Sequence, residues 1–227
     1  MKKILLLSVL ILFGCGKKSD LKSKFPWSEY SLEEALALNS DKIIFLDFYN
    51  DNWGGCVKLE AETLSDDKIV EFSNKYLIPI KIDAWDNKEG TEIFNQYDGT
   101  YIPLLIFLDG EGKEIERVIG YENVEDFLNI LNNVLNNTDT FMSLFEKYKQ
   151  GDKNSNLIDK LSSKSEMKNN DSLSIELYSI ILNNESEYAE SVTERAVFYF
   201  AKLSLKEGNI NKMNNFIVSY KESSRIG

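Results

Sequence analysis

Residues 43–60 read IIFLDFYNDNWGGCVKLE, and the fold turns on how this stretch divides. Its first part, Ile43–Tyr49, is an apolar run broken only by Asp47, the pattern of a central strand covered on both faces. A short polar loop follows, and from Gly54 the spacing predicts a helix to about Tyr76, bent around Ser65 and Asp66. Working outward, Leu77–Asp83 and Leu104–Leu108 are two more apolar strands, with helical spacing over 88–97 between them. Asp109-Gly110-Glu111-Gly112 supplies turn residues that send the chain back as an antiparallel strand over 113–119, and a helix closes the series over 123–136. Upstream, Ser31 with Glu34 three positions later forms a reciprocal helix start, so a short helix runs through Leu38. Strands alternating with helices give an α/β domain, a sheet with flanking helices that ends in a hairpin.

Beyond Asn137 the composition changes: prolines vanish and strand-like runs stop. Helices are expected near 139–149, 171–182, 186–205 and 211–220, an all-α helical-hairpin region over 138–227. The pieces around 170–183 and 196–220 resemble the paired helices of tetratricopeptide repeats, with Gly208 at a turn. No strict 34-residue self-similarity accompanies them, so irregular hairpins remain an equal reading.

The beginning of the chain has its own logic. Basic Lys2 and Lys3, an apolar run over 4–13 and small Gly14 follow the plan of a secretory signal over 1–14, and the run is too short to be a membrane span. Leu12-Phe13-Gly14-Cys15 resembles the lipobox of bacterial lipoproteins, which implies that Cys15 carries lipid and that residues 15–29 hold a tether. The expected location is then a bacterial cell membrane or outer membrane, facing the periplasm or the exterior, with the membrane itself a partner through Cys15. An ordinary secreted chain is the bland alternative.

Without Lys2 and Lys3, 24 basic residues face 37 acidic ones, a net charge of about −13. That surface repels phosphates, so no nucleic-acid partner is expected. The chain has no histidine, which removes the commonest general base and metal ligand; no metal and no cofactor are expected. Of its two cysteines, lipid on Cys15 would leave Cys56 as the one thiol, with no internal disulfide possible.

Several motifs then stand in a familiar order: Phe45-Leu46-Asp47-Phe48-Tyr49, Trp53-Gly54-Gly55-Cys56, the strand ending in Asp83, Ile102-Pro103 before a buried strand, and Gly120 after the last. Together they resemble the thioredoxin-fold family over 30–137, particularly secreted members with a C-x-x-C at the start of a helix. The resemblance implies that Pro103 is a cis proline shaping, with Ile102, Trp53, Gly54 and Gly55, a groove for a substrate's extended chain. It also implies that Cys56 holds the resolving position while Trp53 replaces the attacking cysteine, so one molecule cannot complete a dithiol cycle. In the family an aspartate like Asp47 moves protons for the resolving cysteine; here it is either such a catalytic group or a hydrogen-bonded core residue. Cys56 is either a buried remnant or, with a shifted register, an exposed working thiol.

Trp53, Tyr49, Trp85 and Tyr101 form an aromatic rim for an apolar peptide, or ordinary packing. The leading expectation is a protein- or peptide-binding or folding-assistance module of the cell envelope, with an envelope protein as partner. A thiol-disulfide oxidoreductase acting through Cys56 is the alternative, and an inert scaffold a third.

Overall fold

The computed structural model describes residues 24–223; the signal segment, Cys15 and most of the tether lie outside them. The first element, α1 (Leu32–Ala37), starts at Ser31, whose side chain accepts from the Glu34 N–H while the Glu34 carboxylate accepts from the Ser31 N–H. Then come β1 (Ile43–Tyr49), α2 (Gly54–Lys58), a π-helical turn (Leu59–Leu64), α3 (Asp67–Tyr76), β2 (Leu77–Asp83) and α4 (Lys88–Gln96). The hairpin β3 (Leu104–Leu108) and β4 (Glu114–Ile119) leads into α5 (Val124–Asn136). The single helix expected from Gly54 is thus three pieces: the break falls at Ser65 and Asp66, and Asp66 caps α3 by accepting from the Lys68 N–H.

The sheet order is β2-β1-β3-β4, with β2 parallel to β1 and the other pairs antiparallel. The unbroken apolar run of β1 follows from this central place. Ile43 and Phe45 enter one layer with Leu59, Leu105, Phe107 and Phe127, and Ile44, Leu46 and Phe48 enter the other with Ile80, Phe94 and Ile106. Period-two alternation with both faces covered leaves no polar positions except where a function or a partner demands one.

The C-terminal half holds α6 (Phe141–Lys149), α7 (Ser155–Met167), α8 (Asp171–Asn183), a 3-10 turn (Glu185–Glu187), α9 (Glu190–Lys206) and α10 (Ile210–Ser223). Each packs on the next around Leu144, Ile158, Leu161, Leu177, Tyr178 and Ala196. Helix α7 has no counterpart among the helices expected from sequence. Its buried stripe includes Ser162 and Ser165, whose hydroxyls bond to Asp159 O at 2.8 Å and, through Ser174 Oγ, to α8 at 2.9 Å. Serine in a buried stripe dilutes the apolar period that marks a helix.

The halves meet at β4. Glu116, 3% exposed, accepts from the Phe141 N–H at 3.1 Å and pairs with Lys164 of α7. Glu114 forms a two-pronged bond to Arg117, 2.7 Å at each prong, and takes Lys168 at 2.6 Å. No helix among the described residues is long and apolar enough to cross a membrane.

Candidate functional site

The site lies where β1 and β2 end. The Asn50 side chain closes the loop after β1 by accepting from the Asn52 N–H at 3.0 Å, and the Asn50 carbonyl accepts from the Trp53 N–H at 3.1 Å. Trp53 is the extended residue at the N-terminal cap of α2 and offers no side-chain bond to the helix. Because the helix starts at Gly54, Cys56 falls inside its first turn and turns into the core, 6% exposed; a shifted register with a surface thiol is not what forms.

Burial pushes the Cys56 thiol up to about 11, aided by Asp47 and Asp51 and opposed by the Asn50 backbone N–H and by Lys81. The thiolate is the reactive form, so at neutral pH the thiol stays overwhelmingly protonated and unreactive. Asp47 stands beside Lys81 in the parallel register of β1 and β2. Burial raises its carboxyl to about 7, Lys81 opposing and Glu60 assisting, and its Oδ1 has no hydrogen-bond partner among the described residues. Lys81 instead pairs with Glu60 at 3.2 Å and sits 4.1 Å from the centre of the Tyr49 ring. These groups line a recess of about 260 Å³ with Asn50, Asp51 and Cys56.

Across the helix start, the Ile102–Pro103 peptide is cis, and the Pro103 carbonyl accepts from the Gly120 N–H at 2.8 Å. Both Ile102 and Pro103 are buried. A β-carbon on Gly55 would stand 3.2 Å from Pro103 Cδ and 3.3 Å from the Trp53 indole nitrogen, so glycine is what lets both rings approach α2. Gly54 meets nothing comparable. Trp53 packs edge-on against Trp85, centroids 5.7 Å apart, and each is about half exposed. Tyr101 is exposed, whereas Tyr49 is turned over the recess.

The structure therefore brings Asp47, Cys56, Trp53, Gly55 and Pro103 to one end of the sheet. Sequence reading missed the Lys81–Glu60 pair. Its only trace is Lys81 inside an otherwise apolar strand, and the partner becomes apparent only when the π-helical turn lies beside β2. Among the described residues no group of three or more acidic or cysteine side chains is arranged to hold a metal.

Comparison with known proteins supports the same reading. Residues 30–135 match the family model described as a thioredoxin-like domain. This part of the chain is a thioredoxin-like domain. It is 27% identical over 120 residues to the thiol:disulfide interchange protein DsbD of Haemophilus influenzae, covering 52% of this chain and 21% of that protein. The DsbD of Photorhabdus laumondii is 29% identical over 104 residues, 44% of this chain and 18% of its own. The chain thus spans about a fifth of the length of these relatives. Among solved structures, a thioredoxin from Thermus thermophilus aligns with a TM-score of 0.44 and 23% identity, over 49% of this chain and 88% of its own. The thioredoxin-like domain is accordingly related to thiol-disulfide interchange proteins, and the helices after α5 lie outside the matched family.

Proposed function

We propose that this protein is a lipid-anchored module of the cell envelope whose thioredoxin-like domain binds extended polypeptide beside Pro103 without turning over a dithiol. The observation that carries the reading is Trp53 at the cap of α2, the position at which a redox member would present its attacking sulfur. Cys56 behind it is buried and protonated, so neither half of a dithiol exchange is supplied. The half-exposed Trp53–Trp85 pair offers large, rigid apolar contact next to the proline, the kind of surface that anchors a bound chain. The lipid anchor rests on the lipobox-like residues ending at Cys15 alone.

Insulin reduction by the purified protein and by its Cys56→Ser variant tests the redox half of this reading. Equal, background-level rates are expected, and a rate that depends on Cys56 overturns it. One observation favours that second reading, an oxidoreductase working through Cys56: Asp47, with a carboxyl near 7 and an unpartnered oxygen, shares the cysteine's recess and could serve as its base. The anchor is checked by the mass of the N-terminal peptide from cell membranes, where a diacylglyceryl adduct on Cys15 is expected; an unmodified Cys15 there removes the anchor.

A further inference from the structure

Charge around the recess is lopsided. Asp51, Glu60 and the part-protonated Asp47 line it against one ammonium, that of Lys81, which Glu60 and the Tyr49 ring already hold. The lysines nearest in sequence turn elsewhere, Lys58 toward Glu62 and Lys88 toward Glu92. At the end of β2, Asp83 accepts from the N–H groups of Trp85 and Asp86 at 3.0 and 2.9 Å, and Asp86 accepts from the side chain of Asn50, which lines the recess, at 2.8 Å. Burial works against Asp83, but these bonds prevail and hold its carboxyl below the usual range, so it stays charged.

Two independent features point to what such a place would take. Asp47 is 3% exposed and its Oδ1 has no donor among the described residues, an arrangement that costs stability until a donor arrives. Beside the recess, the Trp53 and Trp85 rings are half exposed, and the face of an indole attracts cations as well as apolar chain. Lysine and arginine combine the two needs in one side chain, an aliphatic stem that lies on apolar surface and a charged head that seeks carboxylates. The overall charge of −11 draws a basic segment toward the protein.

Resting on the groove reading above, we propose that the bound polypeptide carries a lysine or arginine whose head enters the recess at Asp47, Asp51 and Glu60 while its stem lies along the Trp53–Trp85 pair. Arginine fits better than lysine, because its planar fork can satisfy two carboxylates at once.

Titration of the purified protein, followed by tryptophan fluorescence, with four unstructured peptides identical except for a central Arg, Lys, Leu or Glu tests this. Arg and Lys peptides are expected to bind at least tenfold more tightly than the Leu peptide, with Glu weakest. The preference should fall to less than threefold in the Asp51→Asn variant, whose exposed position leaves the fold intact, and likewise at high salt. Equal affinity for the Arg and Leu peptides overturns the cationic class while leaving the groove reading in place. A flat response to every peptide, matched by the Trp53→Ala variant, overturns both.

Discussion

Around Cys56 and Asp47 burial outweighs every nearby charge, and it moves both groups toward their neutral forms. Lys81 would hold Asp47 ionised if it paired with it, but the lysine is drawn to Glu60 instead. The consequence for stability has a definite sign. Asp47 titrates near 3.8 in an unfolded chain and at about 7 in the fold, so between these values the native state holds the extra proton. The stability this proton contributes is complete below pH 3.8 and is lost as pH rises through 7, in all roughly 4 kcal/mol at 1.36 kcal/mol per unit. Asp47→Asn keeps the shape without the ionisation. Its urea midpoint at pH 8 is expected to exceed that of the parent protein, by about 2–4 kcal/mol of stability, and the difference between the two should shrink toward pH 4. A difference that does not vary with pH would assign the titration to another group.

At the scale of elements, strands were the most legible part of the sequence. Three apolar runs gave β1, β2 and β3, since β1 and β3 are sandwiched between helical layers, and the hairpin's own turn residues gave β4. Helix α7 was not legible, since its inward stripe mixes leucine with serine. The charged residues of β4 were equally opaque. The strand expected over 113–119 assigned Glu114, Glu116 and Arg117 no partners, and in the fold they are nearly buried under α6 and α7. Burial pushes the Glu116 carboxyl up, and Lys164, with the N–H groups of Arg117 and Phe141, holds it back. Removing the lysine alone strands a buried charge, so Lys164→Ala should cost about 3 kcal/mol. The double variant Lys164→Met with Glu116→Gln, which removes both charges, should lose less. Denaturant unfolding of the single and double variants checks this, and a double variant weaker than Lys164→Ala would show that the pair contributes more than its removal as a unit.

For the molecule as a whole, the C-terminal helices do more than follow the thioredoxin-like domain: they cover the outer strand of its sheet. An uncovered edge strand is a template for pairing with other chains. A chain ending at Asn137 would expose β4 and leave Glu114 without Lys168 and Glu116 without Lys164. It is expected to melt at least about 10 °C lower than the full protein and to elute as self-associated species. Size-exclusion chromatography and thermal unfolding check this; a monomeric fragment with an unchanged melting point would mean that the helices contribute nothing to the sheet.

The sequence by itself determined the strands, the order of the elements up to α5, the place of Pro103 before β3 and that of Trp53 three residues before Cys56, because each depends on residues close together in the chain. Whether Cys56 faces solvent or core, which carboxylate wins Lys81, and what the charges of β4 are for depended on distant segments meeting. Only the tertiary structure decided those points, since the cost of burying a charge or a thiol is set by what other parts of the chain bring to cover it.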